Sequence, residues 1–218
     1  MIPRHAPSRR PAARLAVVLS TLLLTACSLV PKAESPSVYL LPATPGAPAN
    51  AAGAPAPLPL TLRVATPYSG AILDSTRIMV VPEGTTQIQA YAGARWSDRA
   101  PALLRDRLVD VLRERNGFRD VAGARNNARA DLELRSELLA YQVEHPAGRP
   151  TVHIVLQASL VALDSNRIQA GRRFEVSRVA RDRRMPEVVD AFGAASGELA
   201  GQVAEWARSE AGRLRPSG

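Results

Sequence analysis

From Leu58 onward the apolar positions change period several times, and each change marks an element. Leu58, Leu60, Leu62 and Val64 fall on one side of an alternating segment, the pattern of a half-buried strand. An apolar run from Ile78 to Val81, the turn Glu83-Gly84-Thr85-Thr86 and a return over Gln87 to Tyr91 predict a hairpin. The period then lengthens: Leu104, Leu108, Val111 and Leu112 recur at helical spacing and form one apolar stripe. Ser97 or Asp98 is the expected cap of that helix, Pro101 is acceptable in its first turn, and Asn116-Gly117 is its stop.

The last third repeats the arrangement at greater length. Leu132 and Leu134 alternate, a slip falls at Leu138-Leu139, and the phase resumes at Tyr141 and Val143, which predicts a β-bulge. Val152, Ile154, Leu156, Ala158, Leu160 and Ala162 share one face of the next strand, and Phe174, Val176 and Arg178 share one face of a third, all read as antiparallel neighbours. Val189, Phe192, Ser196, Leu199, Val203 and Trp206, at steps of three and four, predict a long amphipathic helix despite Gly193, Gly197 and Gly201. Those glycines either permit a close approach or are tolerated weak positions, and the second, blander reading is preferred. Strands, helix, strands, helix is the order of an α+β fold: a mostly antiparallel sheet with two amphipathic helices packed on one face, over a single domain of residues 58–213 with a short tail at 214–218.

Upstream, Val38 to Leu41 reads as a short strand, followed from Pro42 to Pro59 by a Pro/Ala/Gly tract that cannot run as a helix or a central strand. Residues 27–57 are therefore read as a tether with two possible reaches. If the Val38–Leu41 strand docks, nine residues separate Pro36 from Cys27; if it does not, the whole segment is tether.

Cys27 is the only cysteine, which excludes an intrachain disulfide. Before it come Arg4, Arg9, Arg10 and Arg14 and a short apolar run from Leu15 to Ala26. As a helix that run would rise about 18 Å, against roughly 30 Å of hydrocarbon in a bilayer, so residues 1–26 read as a secretory signal. Leu24-Thr25-Ala26-Cys27 looks like a bacterial lipobox, with Cys27 carrying a diacylglycerol and an N-acyl chain and no other cofactor expected. An ordinary signal peptide with a cysteine at its border is the alternative. Ser28, where an aspartate would retain an enteric lipoprotein in the inner membrane, points to the outer membrane, periplasmic face.

Removing the four signal arginines lowers the formal charge from +8 to +4, which is no nucleic-acid signature. His145 and His153 lack the spacing of a metal site, and the chain holds no GxSxG elbow, phosphate loop or HExxH, so no enzyme is expected. Asp131 and Glu133 read as a solvated strand face. Arg172, Arg173, Arg178, Arg181, Arg183 and Arg184 are dense enough to bind lipid head groups or an acidic partner, or else form an aggregation-resistant edge. Ile72 and Leu73, apolar in an expected turn from Gly70 to Thr76, are the other contact candidates. Trp96, just before the helix, reads as a core plug in preference to an interface anchor.

The lipobox Cys27, the strand with Tyr39, the stretch "SGAILDSTRIMV", the spacing Tyr91, Trp96, Pro101, Leu104, Leu108, then Arg172 to Phe174 and Trp206 together resemble the ABC-type transport auxiliary lipoproteins, the PqiC-like group. The resemblance covers essentially the whole chain after the signal; the long Pro/Ala tract is a departure from it. It implies a non-enzymatic outer-membrane component of an MCE-domain lipid transport system that docks the MCE protein, as a ring of several copies, with phospholipid a further candidate partner. The alternative is an envelope-assembly lipoprotein of the LptE-like kind without a transport partner.

Overall fold

The computed structural model describes residues 35–43, 56–123 and 129–214. The signal, the lipobox with Cys27, most of the Pro/Ala tract and the tail beyond Leu214 lie outside the described residues.

The longest strands organise everything else. β7 (Leu132–Glu144) is paired antiparallel along its whole length with β8 (Thr151–Ala162), which pairs in turn with β9 (Arg167–Val179). Along its other edge β7 receives β2 (Leu58–Val64), β3 (Tyr68–Ser69) and β4 (Arg77–Val81) in succession, all parallel to it. Residues 58–81 thus run beside β7 as one broken strand. β6 (Phe118–Gly123) flanks β2 in parallel, β5 (Gln89–Trp96) flanks β4 antiparallel, and β1 (Ser37–Tyr39) flanks β5 in parallel.

The sheet is therefore mixed, which corrects the expectation of a mostly antiparallel one: among the described residues five strand pairs are parallel and three antiparallel. Alternation fixes which face a side chain occupies but carries no information on the direction of the neighbouring strand. Parallel pairing needs a crossover, and α1 (Ala100–Glu114) is the one that carries the chain from β5 to β6. The hairpin β4–β5 and the β7–β8–β9 meander do match the sequence pattern. β3 and β6 have no counterpart in it, being too short or too mixed in polarity to show a period.

The register of β7 and β8 shifts between Leu138 and Ala140, at the expected slip. Leu138 and Tyr141 both face the core at 1% exposure, while the extra residue, Leu139, is turned out. α1 and α2 (Met185–Arg213) pack against each other and against the sheet, burying Leu104, Leu108, Val111 and Leu112 from one and Val189, Phe192, Ser196, Leu199, Val203 and Trp206 from the other. At the centre Trp96 meets Phe192 edge-on at 5.1 Å between ring centroids, and Phe192 meets Tyr141 at 4.9 Å. Trp96 is thus the core plug its position suggested. Burial pushes the Tyr141 hydroxyl far above its ordinary range, opposed by a 3.3 Å hydrogen bond with Ser196 and by the Arg107 charge.

The helix termini differ from expectation at one end. Arg99 is the residue before α1 and no side chain caps it; the Asp98 carboxylate accepts instead from the Arg99 amide at 2.7 Å. With Pro101 in the first turn, one amide that a cap would serve is absent. The other end stops as expected, Asn116 taking a left-handed φ of 48°.

Leu108 is fully buried between the helix and the sheet, so Leu108→Ala should lower stability by about 2–5 kcal/mol. A urea unfolding midpoint shifted no more than that of exposed Asp110→Ala would show that the α1 stripe does not carry the core.

Candidate functional site

The N-terminal strand is built into the domain. Ser37, Val38 and Tyr39 pair with Ala94, Arg95 and Trp96 of β5, and the Ser97 amide donates to the Tyr39 carbonyl at 2.8 Å. Beyond it the Pro42 carbonyl accepts a hydrogen bond from the guanidinium of Arg107, a residue 6% exposed on α1. Pro42 also presses on α2: a methyl group at position 193 would lie 2.9 Å from its carbonyl oxygen, closer than side-chain carbons stand from such atoms. Gly193 is thus a close-approach glycine, which corrects the blander reading. At Gly201 the nearest group is only the tip of the Arg115 side chain, which can swing aside, so that glycine is not held by the same requirement. The far flank of the Pro/Ala tract is held too, Arg208 donating to the Ala56 carbonyl at 3.1 Å.

The arginine group is divided by the fold. Arg172 and Arg173 sit in mid-β9 opposite Ala158 and Gln157, Arg172 over the Phe174 ring at 5.2 Å and Arg173 paired with Glu175 at 3.6 Å. Arg178 shares the helix-facing side, as its spacing predicted, and pairs with Glu198 of α2. Arg181, Arg183 and Arg184 lie beyond the end of β9, where it turns into α2. Arg181 pairs with Glu187 at 3.5 Å, Arg184 with Asp182 at 2.8 Å and Glu187 at 3.2 Å, and Arg183 donates to the Gly148 carbonyl at 2.8 Å. Hydrogen bonds from Arg184 hold the Asp182 carboxyl below its ordinary value. Eight residues of strand and turn separate Arg173 from Arg181, about 26 Å if extended, so these arginines do not form one patch.

The Gly70–Thr76 turn interrupts the broken strand between β3 and β4. Leu73 and Asp74 amides donate to the Gly70 carbonyl, the Ser75 hydroxyl to that of Ile72, and Arg99 pairs with Asp74 at 3.1 Å. Leu73 is 8% exposed and belongs to the core, whereas Ile72 is 53% exposed. Only Ile72 of the two is available to a partner. The turn is tied to residues 96–100, the Trp96 amide donating to the Thr76 carbonyl and that of Ala100 to Ser75, and the Ser97 amide holds Tyr39, so the turn with Ile72 and the residue after β1, Leu40 (74% exposed), both flank the β5–α1 junction. Of the spaced motif, Trp96, Pro101, Leu104 and Leu108 are buried, and Tyr91 is half-buried with its hydroxyl pushed up by burial against the opposing charge of Arg183.

Two arrangements escaped the sequence. Arg107 gives no sign of burial, because a helical arginine beside a leucine stripe reads as solvent-facing. His153 joins Glu144 of β7 at 2.9 Å and Glu175 of β9 at 3.0 Å, a bridge visible only once the strand register is known. Among the described residues no group of histidine, cysteine and acidic side chains could hold a metal ion. At the opposite end of the sheet an open hollow of about 920 Å³ is lined by Leu60, Arg63, Arg129, Ala162, Asp164 and Leu214 among others.

Comparison with known proteins fits this fold. The model of the ABC-type transport auxiliary lipoprotein component matches residues 39–204, from Tyr39 in β1 into α2. The chain belongs to this family. An auxiliary lipoprotein of an ABC-type transport system is thus what the domain is, and the match begins within the docked strand. Protein XCC0632 from Xanthomonas campestris shares the fold with a TM-score of 0.71 at 24% identity, over 81% of this chain and 97% of its own. A second solved structure, of an uncharacterized protein, aligns with a TM-score of 0.62 at 15% identity, over 79% of this chain and 99% of its own. No curated protein matches the chain.

Burial lowers the pKa of His153, but the hydrogen bonds to Glu144 and Glu175 outweigh it and raise the net value. A raised folded-state pKa stabilises fully below the unfolded value of about 6.5 and loses that contribution as pH rises through the folded value. Urea midpoints should therefore fall between pH 6 and pH 8.5 in the native protein and fall less in His153→Gln; identical pH profiles would contradict the bridge.

Proposed function

We propose that this auxiliary lipoprotein is non-enzymatic, is anchored through lipidated Cys27 to the outer membrane on its periplasmic face, and docks the MCE-domain protein of an ABC-type lipid transporter, several copies forming a ring. The observation that carries the reading is the family match across residues 39–204, which begins at Tyr39, the last residue of the docked strand. A chain whose first strand is part of the domain, nine residues after the anchoring cysteine, suits a fixed receptor close to a membrane better than a mobile carrier.

The docking contact is assigned to the flank that carries Leu40 and Ile72. Both are large, exposed and apolar, and neither supports the core. A protein surface of this kind stabilises a complex when a partner covers it and contributes little otherwise. Mid-strand Arg172 and Arg173 are a secondary candidate for the rim, where reversal of charge alters encounter rate more than residence.

Cys27→Ala should leave the protein in the soluble periplasmic fraction or uncleaved, and unchanged outer-membrane fractionation would remove the anchor from the account. With the anchor intact, Leu40→Asp combined with Ile72→Asp should reduce recovery of the MCE-domain protein, in pull-downs of the detergent-solubilised lipoprotein, on the order of ten-fold or more. Recovery equal to wild type from a variant with an unchanged unfolding midpoint would place the docking surface elsewhere.

A further inference from the structure

We infer that the end of the domain carrying Arg149, Arg181, Arg183 and Arg184 lies against the membrane, with those guanidinium groups on the phosphates of anionic phospholipid head groups. The inference rests on the proposed anchor at Cys27, and it assigns the arginines of the β9–α2 turn to lipid instead of to a protein partner.

Strand register shows at which end of the sheet the chain enters β1. β7 ends at Glu144, opposite Thr151 where β8 begins, and Thr151 faces Val179 where β9 ends. The Arg181–Arg184 turn and the 145–150 turn therefore share one end of the sheet, joined by Arg183 on the Gly148 carbonyl and by the Ala180 amide on the Pro150 carbonyl. β4 runs parallel to β7 and finishes there at Val81, opposite Glu144. β5 runs the other way and begins there, and β1, parallel to β5, runs away from that end. The chain thus comes into β1 from the arginine end. The opposing charge of Arg183 on Tyr91, in the first half of β5, reports the same neighbourhood.

Length decides the rest. Nine residues join Cys27 to Pro36, at most about 32 Å of chain. The turn at residues 163–166, at the other end of the sheet, lies about ten strand positions beyond the level of Pro36, roughly 33 Å. A fully stretched tether doubled back along the sheet would be used up in reaching it, whereas the arginine end needs only a few residues of it. The charges are layered appropriately as well. The side chains of Arg181 and Arg184 are 82% and 73% exposed, while their carboxylate partners Asp182 and Glu187 are only 42% and 14% exposed. Outward, the cations stand in front of the anions. Among the described residues the carboxylates of Glu83 and, partly, of Glu144 at this end oppose them. Guanidinium forks take phosphate oxygens in pairs, and each basic residue brought to an anionic lipid surface strengthens attraction by about five-fold.

The test places an environment-sensitive fluorophore by maleimide on Ala147→Cys or on Ser165→Cys, one at each end of the sheet, in the full-length processed lipoprotein. Acylation of Cys27, which also blocks its sulfur, is verified first by intact mass. The labelled proteins are reconstituted into phosphatidylethanolamine vesicles containing phosphatidylglycerol and head-group spin-labelled lipid. Quenching at position 147 should exceed that at 165 by about five-fold, and should drop by at least about half in Arg181→Ser/Arg183→Ser/Arg184→Ser or when phosphatidylcholine replaces both lipids. Equal or reversed quenching at the two positions overturns the orientation. Quenching at 147 that ignores both the triple variant and the lipid charge overturns the arginine contact. An intact mass without acyl chains on Cys27 removes the anchor itself, a distinct failure that takes the orientation with it.

Discussion

Arg107 has its charge withdrawn from water inside the helix layer, and the Pro42 carbonyl accepts its hydrogen bond. A hydrogen bond to a buried charged group contributes about 1.5–3 kcal/mol, and losing its acceptor leaves a desolvated guanidinium. Arg107 therefore holds the N-terminal segment on the domain, with Gly193 leaving room for Pro42 and β5 supplying the ladder for Ser37 to Tyr39. Because the segment is held, the tether ahead of it is short. With the proposed anchor at Cys27, a short tether is what would turn one end of the sheet to the membrane and leave the flank with Leu40 and Ile72 to the proposed partner.

The sheet is the frame that makes those positions definite. β7 is paired along its whole length on one edge by β8 and in three stretches on the other by β2, β3 and β4, so that a single strand sets the level of every turn. The Gly70–Thr76 turn emerges where the broken strand is interrupted, close to the level of the bulge at Leu138–Ala140. Leu73 points into the core there and fixes the turn; Ile72 is presented outward. One turn thus divides its two apolar residues between the core and the surface.

Much of this was legible in the sequence because periodicity reports burial directly. The Leu104–Leu112 stripe, the Val189–Trp206 stripe and the phase slip at Leu138-Leu139 each correspond to the structure position by position. Strand direction was not legible, since Leu62 alternates identically whether its neighbour Leu132 runs parallel or antiparallel to it. Nor was the division of the arginines, whose sequence density conceals about 20 Å of strand between Arg173 and the end of β9 at Val179. Gly193 was visible only as one of three glycines four residues apart; what distinguishes it is Pro42, about 150 positions away in the chain, and no local pattern encodes that contact.

The central claim is that the N-terminal strand is part of the domain. Amide hydrogen exchange at Ser97, whose N–H donates to the Tyr39 carbonyl, measures this most directly, with the neighbouring Trp96 amide, bonded to Thr76, as an internal reference. In the native protein both should be protected. In Gly193→Val, where the added side chain collides with Pro42, Ser97 should exchange at least about ten-fold faster while Trp96 and the β7–β8 ladder stay protected. Free-chain exchange at Ser97 in the native protein, or protection that survives Gly193→Val unchanged, would contradict the docked strand and the short tether that depends on it.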